Sequence, residues 1–363
     1  MRKLLTIGVM LAALGTGCLT PAFASTKAGT KCSKAGVTTV VSGKKYTCVR
    51  SGKKLVWDKG VLVPIAKTAP SESATTVKIS FTPWASSFIT EDMTQAALTN
   101  TSNFLGEVKP SNAYEIVIDP KVRDSDLEWI VRMLDYSNGA FSGIQREKVK
   151  VFVGSSQDWS LKTFRDANLW IGDPRDPYPC SQGIGDTYCS QDNLVLLIYA
   201  AANTRFFKWG YGPLSTPAHE IFHTVQAALS APVVGAGPEN PKYIPRWLLE
   251  GSANYFGYFV SDKLGLGKYE VGRLNQVTIN PAYKNVMPLS EYYRFDSDPY
   301  GIGQAASEYL IASIGFENFL NIWRYTKSEG SFTKGFRKAT GIEIVDFYDK
   351  FEAARGSMKI GTG

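Results

Sequence analysis

The chain has 363 residues, 44% hydrophobic and 20% charged, with 40 Lys or Arg against 33 Asp or Glu and a net charge of +7. That length admits one domain with a sizeable core plus a smaller piece, and no segment approaches the ~20 apolar residues of a membrane span. The basic excess sits in one short N-terminal stretch, so the main body offers no ground for a nucleic-acid partner.

In chain order, Arg2 and Lys3 precede an apolar run from Leu4 to Leu14, and AFAS at 22–25 fits cleavage after Ala24. Residues 1–24 therefore read as a signal peptide, and the mature protein as secreted or extracellular and open to cell-wall association. Lipid anchoring at Cys18 is the competing reading, but Gly15 stands where that motif wants leucine. With Cys18 set aside, Cys32, Cys48, Cys180 and Cys189 remain. An even count in an exported chain suggests two local bridges, Cys32 to Cys48 and Cys180 to Cys189.

Residues 25–63 read as a small basic β module. Residues 25–70 carry ten Lys or Arg against Asp58 alone. SGKKYTCV at 42–49 and SGKKLVWD at 51–58 echo each other, each with a Ser-Gly turn before β-favouring residues. Strands are predicted near 37–41, 46–50 and 54–58, stapled by Cys32 and Cys48 because so short a piece buries little core. The charge suits docking on an anionic cell-wall polymer or an acidic lipid surface, and equally suits a solvated cap. Residues 28–59 resemble small GxxC…GKKYxCxxxGKKLxW modules of exported actinobacterial proteins. PIAKTAPSESATTVK, 64–78, has the composition of a linker.

Residues 79–363 form the main domain. Asp124 is the expected cap of a helix over 124–141, with Leu127, Ile130, Val131 and Leu134 on one face and Gly139 as its stop. KVKVFVG at 148–154 and NLVLLIYA at 193–200 are strand-like. Helical patterns follow over 217–229, 246–262, 302–314, 316–326 and 344–354. The expected class is α+β with a helical C-terminal half.

TPAHEIFHTVQ, 216–226, holds both histidines of the chain. With Thr216 as cap and Pro217 in the first turn, a helix places His219 and His223 on one face, where both present a ring nitrogen to one Zn²⁺. Glu220 leans over the open metal position as general base, taking the proton of an attacking water and delivering it to a leaving amine. The third ligand has to be a carboxylate, since no histidine is left. Glu250, in PRWLLEGSANYFGYF at 245–259, is the candidate, on a helix with Trp247, Leu248, Ala253 and Phe256 as its apolar flank; Glu239, in a Gly/Pro-rich loop, is its rival.

HEIFH followed by WLLEGSANY resembles the gluzincin zinc metallopeptidases. The resemblance implies a zincin-like domain, one Zn²⁺ held by His219, His223 and Glu250, Glu220 as catalytic base, and a peptide or protein substrate. It implies that Asn254 orients a ligand histidine, and that a tyrosine stabilises the oxyanion, Tyr300 being preferred to Tyr309. It also implies a substrate-pairing edge strand, for which NLVLLIY at 193–199 is in place; an ordinary buried strand is the other reading. Two departures matter. Glu250 lies 27 residues after His223, longer than usual, and no G-x-M-E-N segment precedes the helix, which favours an endopeptidase or selective processing enzyme over N-terminal trimming. A surface-binding protein with a structural or vestigial zinc site, and a zinc amidase acting on a non-protein substrate, are the alternatives.

Overall fold

The computed structural model describes residues 28–41, 44–62, 81–144, 149–156, 159, 162–163, 166, 187–189, 195–199, 214–230, 240–273, 287–293 and 299–358. The chain divides into two compact units, Met1–Val77 and Lys78–Gly363. The expected signal segment 1–24, the linker 64–78, Cys18, Glu239 and Cys180 with its bridge lie outside the described residues. Among the described residues, no helix is long and apolar enough to cross a membrane.

In the first unit, β1 (Thr38–Val41), β2 (Lys44–Ser51), β3 (Lys54–Trp57) and β4 (Val61–Leu62) form an antiparallel sheet in which β2 pairs with each of the others. Gly52, at φ 61, supplies the left-handed backbone of the tight turn between Ser51 and Lys54. Cys32 and Cys48 are disulfide-bonded, with Cα atoms 5.9 Å apart, and both are buried. Asp58 turns inward on the backbone, its Oδ1 accepting the N–H groups of Thr47 (3.0 Å) and Gly60 (2.9 Å). Those donors hold its carboxyl below the ordinary range.

The second unit is mixed α+β and mostly helical. Its sheet runs β5 (Tyr114–Ile118), β6 (Val149–Gly154), β8 (Val195–Tyr199), β7 (Thr187–Cys189), the first three parallel and β7 antiparallel. β8 is therefore paired on both sides and is not an edge; among the described residues β7 holds that place beyond it. The expectation of a substrate-pairing edge strand at 193–199 is therefore not met by its described part, Val195–Tyr199.

α1 (Thr90–Leu105) precedes the sheet, and α2 (Asp124–Ala140) crosses between β5 and β6. Two expectations for α2 need correction. The cap position is Arg123, Asp124 being the first helical residue, and Gly139 does not stop the helix, which continues to Ala140. Gly139 serves close approach instead: a Cβ there would sit 2.1 Å from the Lys109 carbonyl oxygen. The buried face is Trp129, Ile130, Met133 and Leu134, with Leu127 and Val131 half-buried beside it.

α3 (Thr216–Ser230), α4 (Arg246–Lys263), α5 (Tyr300–Glu329), α6 (Phe332–Thr340) and α7 (Ile344–Arg355) complete the unit. The expected helices over 302–314 and 316–326 are one element broken at Gly315, whose φ 79, ψ 160 no helix contains. α5 packs along α1, α4 and α6 around Trp247, Tyr309, Phe316 and Trp323. Glu308, fully buried on α5, accepts from Arg273 Nε (2.9 and 2.8 Å), the Tyr269 hydroxyl (2.5 Å) and Thr94 (3.2 Å), tying α1 and the helical stretch at 269–273 to that helix.

Two glycines set how closely α4 meets α5. A Cβ on Gly251 would lie 2.0 Å from the backbone of Gly303, and one on Gly303 would lie 2.1 Å from the Trp247 carbonyl oxygen. The helices thus cross backbone to backbone, one residue past Glu250 and three past Tyr300. Gly257, about one turn and a half further along α4, sits less tightly against the start of α3, where a Cβ would meet the Ser215 carbonyl oxygen at 2.7 Å and His219 Cβ at 3.4 Å.

Candidate metal centre

α3 begins one residue differently from the sequence expectation. The Ser215 carbonyl accepts the His219 N–H at 3.0 Å, which makes Ser215 the cap position and Thr216 the first helical residue. α3 buries Ala218, Ile221, Phe222 and Val225 in the core, while His219 and His223 face Glu250 on α4.

The two imidazoles converge through the same nitrogen. His219 Nε2 and His223 Nε2 are 3.0 Å apart, and Glu250 Oε2 lies 3.5 Å from the first and 3.4 Å from the second. The three side chains offer ligand atoms that all lie within 4.8 Å of one another. Four ligands around Zn²⁺ at about 2.0–2.1 Å stand about 3.3 Å from each other, so this triangle has the size of one face of a zinc tetrahedron. Glu220, 4% exposed, borders that face, with Oε1 4.0 Å from His219 Nε2. Tyr300 opens α5 with its ring 6.0 Å from that of His219. Tyr309 is fully buried, its hydroxyl donating to the Ala85 carbonyl at 2.9 Å, as a core residue does.

A partner stands behind each imidazole. Asn254 Oδ1 is 3.2 Å from His219 Nδ1, and Gln226 Oε1 is 2.7 Å from His223 Nδ1. An amide oxygen only accepts, so both Nδ1 atoms carry protons and both Nε2 atoms are left for the shared face. Gln226 was not singled out in the sequence; a glutamine three residues after a histidine is ordinary helix composition. Arg246, one turn before Glu250, places Nε 3.7 Å from Glu250 Oε1.

Burial pushes His219 below the ordinary imidazole range, against the hydrogen bond to Glu250 that favours its charged form. Burial also opposes charge on His223, but the Glu250 carboxylate outweighs it and raises the pKa to about 9. Burial likewise works to raise Glu250, and the charge on His223 with hydrogen bonds from both rings holds it well below the carboxylate range. At neutral pH the face where the two Nε2 atoms and Glu250 meet thus holds one proton, on His223 Nε2. One divalent cation can take its place.

Compared with known proteins, the chain matches no protein-family model, no curated protein and no solved structure.

Proposed function

We propose that this protein is an exported zinc-dependent peptidase of the gluzincin type. The observation that carries the reading is the convergence of His219 Nε2, His223 Nε2 and Glu250 Oε2 on one face, with the Glu220 carboxylate beside it. Those three side chains hold the ion, which when bound supplies a Lewis acid that polarises a carbonyl and lowers the pKa of water to about 7. Glu220 takes the proton of the attacking water and hands it to the leaving amine nitrogen as the peptide C–N bond breaks. Tyr300 donates its hydroxyl to the developing oxyanion. Asn254 holds His219 in the tautomer that binds metal through Nε2.

Replacing Glu220 by Gln tests this. Zinc content should stay at one per chain while cleavage of a peptide library falls by about two to four orders of magnitude. A Glu220→Gln protein as active as the wild type would sink the mechanism. Glu250→Ala, assayed for zinc alone, separates the ligand set from the chemistry, and undiminished affinity would move the third ligand elsewhere.

The first unit favours a second activity beside the first, docking on an anionic cell-wall polymer. Lys31, Lys34, Lys45, Arg50, Lys53, Lys54 and Lys59 are all exposed, and the carboxylate of Asp58 is occupied by backbone donors. Binding of the whole chain to wall polymer should weaken steeply as salt rises. Salt-independent binding, or none, removes that partner.

A further inference from the structure

Gln226 is 2% exposed and takes no part in the proton transfers above. Its carboxamide has one accepting and one donating end, and each is occupied. The nitrogen donates to the Leu249 carbonyl at 2.9 Å and to the Ser252 hydroxyl oxygen at 2.8 Å. A peptide carbonyl only accepts, so the Leu249 contact fixes which end is nitrogen. Ser252 is consistent with this, because its own proton goes to the Leu248 carbonyl at 2.5 Å. The oxygen must then face His223 Nδ1, at 2.7 Å, and that ring nitrogen must carry the proton.

The same side chain does a second thing. Leu249 immediately precedes Glu250, so Gln226 holds the α4 backbone at the residue next to a candidate ligand while its other end holds His223. The nearest replacements do not serve both ends: Asn is one methylene shorter, ionised Glu has no donor for the carbonyl, and Lys has no acceptor for the ring.

We infer that Gln226 is a positioning residue of the metal centre, selecting Nε2 of His223 as the ligand atom and fixing α4 so that Glu250 meets it. The inference rests on the reading that His219, His223 and Glu250 hold zinc. It concerns which atoms bind and how tightly, which can be measured without any turnover.

The experiment uses the full-length chain. Because the sequence has only two histidines, a long-range nitrogen–proton correlation spectrum contains two imidazole patterns and no others. In the zinc-loaded wild type both should be Nδ1–H tautomers bound through Nε2. Gln226→Met keeps length and removes both hydrogen-bonding ends, and should weaken zinc binding about 10- to 100-fold in competition with a chromogenic chelator. It should also alter the visible absorption of the cobalt(II)-substituted protein. Gln226→Glu, which still accepts from Nδ1, should recover part of the loss.

Three results would overturn the inference: His223 bound through Nδ1 in the loaded wild type, a Gln226→Met protein with wild-type affinity and cobalt spectrum, or a Gln226→Glu protein no better than Gln226→Met. Should Gln226→Met not fold, the wild-type nitrogen spectrum decides alone. A wild type that binds no zinc at all is a different failure, one that removes the metal-centre reading itself.

Discussion

His219 and His223 each meet a neutral carboxamide at Nδ1, while Glu250 supplies the negative charge at Nε2. The division of labour makes the metal affinity depend on pH in a defined direction. His223, raised to about 9, is protonated below that pH, and only its neutral form binds metal. Zinc affinity should therefore rise by about tenfold per pH unit from pH 6 to 8 and level off near 9, with one proton released per ion. Calorimetric titration in buffers of differing ionisation enthalpy reads that proton directly, and a pH-independent affinity would contradict the proton placement. Tyr300 makes a separate prediction: Tyr300→Phe should leave zinc affinity unchanged and lower kcat by about 10²- to 10³-fold. An unchanged kcat would return Tyr300 to simple packing. The spacing of His219 and His223 and the shortage of other histidines are plain in the sequence. The role of Gln226 is not, because it depends on Leu249 and Ser252 arriving from another helix.

Among the elements, α3, α4 and α7 have ends within a residue or two of the expected bounds, whereas α6, which buries Phe332 and Phe336 one turn apart, has no counterpart among the expected helices. α1 was not legible because Thr90, Thr94, Thr99, Asn100, Thr101 and Ser102 have low helix propensity. Its stability comes from tertiary contact, including the Thr101 to Tyr255 hydroxyl bond at 2.7 Å and the Asn100 bond to the Ile311 carbonyl at 2.9 Å. The placing of β8 inside the sheet escaped as well, since a five-residue apolar run reads alike at an edge or in the middle. The glycines of α4 and α5 carry the element-scale prediction. Intrinsic propensity favours Ala over Gly in a helix by about 1 kcal/mol, yet a Cβ on Gly251 would stand 2.0 Å from backbone. Sterics should win, and Gly251→Ala should lose about 1–3 kcal/mol in urea unfolding. A variant as stable as the wild type would mean that the two helices separate freely.

At the scale of the whole molecule, the charge is segregated: a basic first unit with a single disulfide among the described residues, and a larger unit whose core is apolar and aromatic. The first unit depends on its staple. A bridge spanning 16 residues contributes about 3 kcal/mol in the chain-entropy account, a large part of what so small a sheet has. Substituting Cys32 and Cys48 by Ala should melt that unit at lower temperature while the second unit keeps its transition and its zinc affinity. Parallel loss of zinc would instead make the two units one cooperative body. In the second unit, the crossing of Gly251 with Gly303 has a genetic consequence. An overfilled core is usually relieved by a second substitution that trims the neighbouring side chain. Here the neighbour is main chain, which no substitution can shorten. Damage at either glycine should therefore have no local suppressor, and revertants should restore glycine itself.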